Sequence, residues 1–173
     1  MPATKRPPAM IYFAYGSNLC ERRFLHRAKA ARFLRIGQVA GYRVVFHKRS
    51  NDGSGKATLI ADESQTVFGA LYGLDTEAHR RLRSAEGWPE HYVEQAVNVE
   101  TSAGLLPAIT YVAAKEFYDP TQIPYGWYLD LIRFGGRKLG LPPEALESLK
   151  AAPSKNDPVQ KRSKNEEAWL KLD

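Results

Sequence analysis

The sequence predicts an α+β protein built on one mixed sheet that can close into a small β-barrel, with helices flanking it. Short stretches rich in β-branched and aromatic residues are interleaved with stretches of helical period. Their intervals are irregular, unlike the steady strand-helix beat of a doubly wound parallel sheet. A chain of 173 residues with 43% hydrophobic content is the size of one domain and can bury a core.

Residues 1–9 carry Pro2, Pro7 and Pro8 with Lys5 and Arg6, and read as a loose tail. Order is expected from residue 10, with a single domain over 10–150 and a polar C-terminal extension over 151–173. Met10 to Tyr15 is aromatic and β-branched and stops at Gly16, as a buried strand before a turn does. Asn18 is placed to cap a helix whose apolar residues Leu19, Phe24 and Leu25 alternate with charges to about Arg32. Three strands are expected at Val39–His47, Ala57–Ala61 and Thr66–Leu74, parted by the polar turn Ser50 to Gly55 and by Asp62-Glu63-Ser64.

Asp75-Thr76 offers an N-cap, and Ala78, Leu82 and Ala85 recur at helical spacing until Gly87 and Pro89 end the run. Tyr92–Val99 and Leu106–Ala114 form a predicted hairpin around Ser102-Ala103-Gly104. Pro124 opens a longer helix through Trp127, Leu131 and Phe134 towards Gly140, and Pro142-Pro143 starts a short one to Lys150. Beyond Ala151 the chain is polar, with Trp169, Leu170 and Leu172 able to dock a last turn.

Composition narrows the function classes. No stretch approaches the roughly 20 apolar residues that span a bilayer, and the apolar run Ile11–Tyr15 is too short for a secretory signal. Cys20 is the only cysteine, which rules out an internal disulfide and a cysteine metal cage and suits a reducing cytoplasm. His26, His47, His79 and His91 show no metal-ligand spacing, and no Walker or dinucleotide fingerprint is present, so no metal or cofactor is expected. A net charge of +6 points to anionic partners without choosing among them. Arg22, Arg23, Arg27, Lys29, Arg32 and Arg35 cluster with only Glu21 opposing them, and the plain reading of such a run is a solvated helix face.

Two features carry chemistry. The turn Tyr15-Gly16-Ser17-Asn18-Leu19 leaves backbone N–H groups at a helix start, beside polar side chains, and suits a carboxylate or a developing oxyanion as well as it suits an ordinary capped turn. Glu86 ends its predicted helix, where the dipole disfavours a carboxylate. Buried there, it would hold its proton more tightly and serve as an acid-base group near neutral pH; exposed, it would be an unremarkable surface glutamate. Cys20 sits at the helix start without an identifiable histidine partner and reads as packing.

The run Tyr12-Phe13-Ala14-Tyr15-Gly16-Ser17-Asn18-Leu19 resembles the signature that opens gamma-glutamylcyclotransferases. Glu86-Gly87 with Tyr92 resembles that family's catalytic segment, and Gly135 to Lys150, with Gly140-Leu141-Pro142, its late helical pair. The likeness spans about residues 10–157. It implies a gamma-glutamylcyclotransferase-like small barrel without metal or cofactor, releasing 5-oxoproline and a free amine from a γ-glutamyl compound. Glu86 would be the general base and then acid, Tyr15 to Leu19 would grip the γ-glutamyl group, and Tyr92 and Tyr128 would border the pocket and donate hydroxyl hydrogen bonds. Tyr125 competes with Tyr128 for that place. One departure is Arg83, where the family often has an acid, a cation one helical turn from Glu86 that would lower its pKa.

Two further functions compete with this one. The same site on a different leaving group would make a biosynthetic cyclotransferase that removes a γ-glutamyl protecting group from a larger amine. A non-catalytic basic module would instead use Arg22 to Arg35 to hold nucleic acid or another anion, but only Phe24 and Phe33 interleave aromatic rings there. The expected partner is therefore a small γ-glutamyl molecule, with neither nucleic acid nor membrane, in the cytoplasm, and a homodimer is left open.

Overall fold

A computed structural model describes residues 7–171. Its strands are β1 (Met10–Ala14), β2 (Arg32–Arg49), β3 (Gly55–Leu74), β4 (Tyr92–Thr101) and β5 (Gly104–Ala113). They close into a barrel in the order β1-β3-β2-β4-β5. Only the seam between β1 and β5 is parallel, joined at Tyr12 and Ile109, and the other pairings are antiparallel. The sheet is thus mixed, as the sequence predicts, and the fold is α+β.

The largest difference from expectation is in the middle of the chain. Asp62-Glu63-Ser64 is not a turn between two strands, because β3 runs through it for 20 residues. Pairing slips here, from Tyr42 with Ala61 to Ala40 with Thr66, so the polar residues form an irregularity opposite Gly41, whose φ is +86°. Such bulges bend a strand and increase its twist. Three of them along β2 and β3 let one long hairpin curl into most of the barrel wall.

The first helix is also shorter than predicted. A 3₁₀ turn at Ser17–Leu19 precedes α1 (Glu21–Arg27), and Ala30 at φ +72° ends any helical continuation before Arg32 enters β2 opposite Gly73. Asn18 therefore lies within the 3₁₀ turn, and Cys20 precedes α1 without a side-chain cap. Arg32 and Arg35 belong to a strand, so the basic run is not a single helix face.

Helix α2 (Thr76–Glu86) forms where its caps place it: Asp75 accepts from the Ala78 N–H at 2.7 Å, and Gly87 closes the C-terminus in the left-handed region at φ +66°. A cap of this kind contributes about 1 kcal/mol. Leu82 is fully buried and pins α2 to the body, which fixes where Glu86 emerges.

Helix α3 (Gly126–Leu139) ends at Gly140, and α4 is Pro143–Lys150. A Cβ at Gly135 would overlap the backbone of Leu19 and Cys20, so the glycine lets α3 approach the 3₁₀ turn directly. The core joins these layers through Phe13, Phe24, Tyr72 and Leu131, with Phe24 edge-on to Tyr72 at 4.6 Å between centroids.

The polar C-terminal segment holds a helix the sequence does not signal, α5 (Gln160–Glu167), which packs against α3. Trp169 and Leu170 do pack against the core, and Trp169 lies 5.4 Å from the His26 ring. Leu172 and residues 1–6 of the expected tail fall outside the described residues. Among the described residues no helix is long and apolar enough to cross a membrane.

Candidate active site

The elements around the 3₁₀ turn enclose a cavity of about 400 Å³. Tyr15, Gly16, Ser17 and Asn18 line it from the turn, Glu86 from the end of α2, Tyr92 from β4 and Tyr128 from α3. These groups, up to 113 positions apart in sequence, therefore share one wall system, although only the turn is contiguous. Leu19 and Tyr125 do not line the cavity. Leu19 is core, and the Tyr125 hydroxyl donates to the Asp52 carbonyl at 2.6 Å.

The turn leaves fewer free backbone donors than its five residues suggest. Leu19 N–H donates to Gly16 O at 3.0 Å and Cys20 N–H to Ser17 O at 3.1 Å, which closes the 3₁₀ turn. Among the described residues the N–H groups of Ser17 and Asn18 have no partner. Space at Gly16 is tight, because a Cβ there would stand 3.1 Å from Ala57 Cβ and 3.4 Å from the Tyr128 hydroxyl.

Asn18 is buried and divides its amide between two partners. Its Nδ2 donates to the Tyr12 hydroxyl at 2.9 Å and to Glu86 Oε1 at 3.0 Å. Its Oδ1 is buried and has no hydrogen-bond partner among the described residues.

Glu86 keeps some exposed surface as a residue, since the cavity opens onto it, but protein crowds its carboxyl. Burial raises its pKa above the ordinary value of about 4.5; Arg27, the hydrogen bond from Asn18, Arg23 and Lys48 pull the other way without cancelling it. Of the two causes expected, the helix terminus and burial, desolvation is the one that dominates the shift. Arg83, the cation expected to oppose it, turns instead to Glu94, with contacts of 2.6 and 2.8 Å.

The two tyrosines share one residue of β3 but not one role. The Tyr92 hydroxyl donates to Ala57 O at 2.9 Å, which directs its proton away from a ligand. Tyr128 accepts from Ala57 N–H at 3.0 Å, leaving its own proton to donate, and burial keeps that phenol protonated. Of the two hydroxyl donors expected, the geometry leaves Tyr128.

Several lining residues escaped the sequence reading. Arg23 is only 5% exposed, not solvated: its Nε meets Glu166 Oε2 at 2.7 Å and its Nη1 reaches Ser17 Oγ at 3.2 Å. Arg27, one helical turn later, also faces the cavity, and among the described residues it makes no hydrogen bond or ion pair. The four-residue spacing of Arg23 and Arg27 just after the turn was the available signal. Lys48, Lys56, His91 and Glu166 come from distant segments and had none. Lys56 is held by Asp52 at 2.8 Å and lies 4.5 Å over the Trp127 ring. Cys20 is buried, and burial raises its thiol pKa, so it packs rather than reacts. Among the described residues no group of three or more His, Cys, Asp and Glu side chains is arranged to hold a metal ion.

Comparison with known proteins gives a consistent result. Residues 12–130 match the family model described as gamma-glutamyl cyclotransferase, AIG2-like. The human protein named gamma-glutamylcyclotransferase is 28% identical over 150 residues, covering 83% of this chain and 78% of that protein. A solved structure named gamma-glutamyl cyclotransferase superposes with a TM-score of 0.80 at 25% identity, covering 90% of this chain and 98% of the other. A solved human protein of unassigned function superposes at 0.83 with 28% identity, covering 94% and 98%.

Proposed function

The chain belongs to the gamma-glutamyl cyclotransferase, AIG2-like family, and from that membership we propose that it closes a γ-glutamyl group onto its own α-amine, releasing 5-oxoproline and a free amine, with Glu86 as the proton carrier. The observation that carries the reading is the hydrogen bond between Asn18 and Glu86, which joins the turn to the carboxylate in one cavity.

The chemistry follows from where protons must go. The α-amine nitrogen attacks the γ-carbonyl carbon, a new C–N bond closes the five-membered ring, and the bond to the departing nitrogen breaks. Glu86 takes the proton that the attacking amine sheds and delivers it to the departing amine. A carboxyl with a raised pKa suits both transfers, because it neither holds the proton as weakly as a solvated glutamate nor refuses to release it. The attack is intramolecular, so folding the substrate into reach contributes much of the acceleration. The free N–H groups of Ser17 and Asn18 and the Tyr128 hydroxyl are the donors for the developing oxyanion. Arg27 lines the cavity and makes no hydrogen bond or ion pair among the described residues, and its charge lowers the Glu86 pKa. The substrate's α-carboxylate shares a carbon with the α-amine, so this unpaired cation of the cavity is assigned as its counter-ion. The lone cysteine supports a cytoplasmic setting for this activity.

Purified protein incubated with γ-glutamyl-alanine in the presence of a chelator should release 5-oxoproline and alanine in equal amounts. No release from any γ-glutamyl compound, including γ-glutamyl derivatives of larger amines, would overturn the reading.

A further inference from the structure

A helix outside the residues matched by the family model closes one side of the cavity. Glu166, in α5, lines it, and its carboxylate reaches back to Arg23 of α1, which is only 5% exposed. Helix α5 is fixed near both ends. Asp157, just before it, accepts from Trp127 Nε1 of α3 at 2.9 Å and from Arg162 Nε of α5 at 2.6 Å, while Trp169, just after it, lies beside the His26 ring of α1. Neither tie passes through Glu166, so the packing of the segment, and not the ion pair alone, sets the place of that carboxylate.

The contact at Arg23 has direction as well as charge. Nε donates to Glu166 Oε2 at 2.7 Å and Nη2 approaches Oε1 at 3.5 Å, so the carboxylate spans one edge of the guanidinium. The third nitrogen, Nη1, donates to Ser17 Oγ at 3.2 Å. A guanidinium is planar and rigid, so a carboxylate that fixes one edge also fixes where the remaining nitrogen points. Ser17 opens the 3₁₀ turn, and its backbone N–H is one of the donors assigned above to the oxyanion. Burial raises the pKa of Tyr128, a second such donor, and Arg23 and the Ser17 hydroxyl both pull it back, so the pair acts on that phenol as well. Without Glu166, Arg23 would be a buried cation with no counter-ion to hold its plane.

We propose that Glu166 is a positioning residue of the catalytic site: acting through the Arg23 guanidinium, it sets the Ser17 hydroxyl and with it the turn that presents donors to the developing oxyanion. This rests on the cyclotransferase reading and adds the C-terminal helix to the parts that reading needs. The polar end of the chain then has a task in the reaction beyond covering α3.

The test follows turnover of γ-glutamyl-alanine by full-length variants. Donors to an oxyanion act in the transition state, so their misplacement lowers kcat more than it raises KM. Glu166→Ala should lose roughly 10- to 100-fold in kcat, with KM within about threefold of wild type. Glu166→Gln keeps the size of the side chain and should show the same split to a lesser degree, and it carries the test if the alanine variant does not fold. Arg23→Lys keeps a charge for Glu166 but cannot hold two partners at fixed angles, so its kcat should fall as in Glu166→Ala. In a Ser17→Ala background the further loss from Glu166→Ala should shrink to within about threefold, because the relay already ends short of the substrate. A lowered thermal midpoint with kcat unchanged overturns the proposal and leaves Glu166 as a tether of α5. Wild-type kcat in Arg23→Lys, or a Glu166→Ala loss of full size in the Ser17→Ala background, overturns it too. Wild type that releases no 5-oxoproline from any γ-glutamyl compound removes the cyclotransferase reading itself, an outcome distinct from every result on the variants.

Discussion

Asn18 Nδ2 stands 3.0 Å from Glu86 Oε1, a contact that spans 68 positions of sequence and ties the first turn of the chain to the end of its second helix. The same amide group holds the Tyr12 hydroxyl at 2.9 Å, so one side chain links three residues of the site. The carboxylate is thereby kept in one rotamer facing the cavity, which is what a group that must both accept and return a proton requires.

Glu86→Gln preserves the size of the side chain and an oxygen for Asn18 while removing the titratable proton. Turnover should fall by roughly 10²- to 10⁴-fold, the usual contribution of general acid-base catalysis. Binding of 5-oxoproline, followed by calorimetry, should change little. Turnover within about threefold of wild type would mean that another group carries the proton.

The same substitution should reveal a pH-dependent stability. Burial raises the pKa of Glu86 in the folded protein above its ordinary value of about 4.5, so the folded state binds more protons than the unfolded one between those two values. Stability supplied by the protonated carboxyl is complete below pH about 4.5 and is lost as pH rises through the folded value. Glu86→Gln cannot ionise and escapes that loss. Its thermal midpoint should exceed that of wild type at pH 7 and converge with it below pH 4.5; a gap of constant size across that range would contradict the buried-carboxyl account.

How much of this site could be read from sequence depended on contiguity. The turn at Gly16 and the helix end at Glu86 are local signals, written in a glycine, a cap and a charge in an unfavourable place. The hairpin of β4 and β5 was equally legible, because alternation and a Gly104 turn are local too. What stayed hidden needed the barrel to close. Asp62-Glu63-Ser64 has turn composition yet lies in β3, because the long pairing with β2 outweighs the preference of three residues. Arg23 looked like a solvated helix residue until α5 supplied Glu166 from 143 positions away. Lys48 and Lys56 face one another across a two-strand register that no composition encodes.

Arg27 and Asn18 both oppose the rise in the Glu86 pKa, so removing either should move catalysis along the pH axis. A base must be ionised to act, and activity therefore falls as pH drops below its pKa. Arg27→Gln and Asn18→Ala should each raise that pKa and shift the acid limb of the kcat/KM profile to higher pH. Arg27→Gln should also raise KM, since it removes the counter-ion assigned to the α-carboxylate. Profiles that coincide with wild type after scaling would show that neither group acts on the ionisation.

Tyr128 and Tyr92 make a matched pair for separating structure from chemistry, because each bonds a backbone group of Ala57 and only Tyr128 has its proton free. Tyr92→Phe and Tyr128→Phe should each cost about 1 kcal/mol of stability, the net value of one hydrogen bond. In kcat the two should differ, with Tyr128→Phe losing roughly tenfold more, as expected when a donor to developing charge is removed. Equal kcat values would leave both hydroxyls as supports of β3 alone.

Gly135 tests whether the site depends on the seating of α3 against the first turn. A methyl group there would overlap the backbone of Leu19 and Cys20, and neither neighbour is a flexible side chain that can swing aside. Gly135→Ala gains helix propensity of about 1 kcal/mol in an unhindered setting. Overpacking a tight contact costs about 1–3 kcal/mol and should win, because relief requires the helix or the 3₁₀ turn to shift bodily. Displacement of the turn should carry Ser17 and Asn18 away from Glu86. Thermal unfolding should therefore show a lowered midpoint, and kcat/KM should fall in the fraction that stays folded. A variant with a higher midpoint and unaltered activity would mean that α3 has room to move and that the turn does not take its position from it.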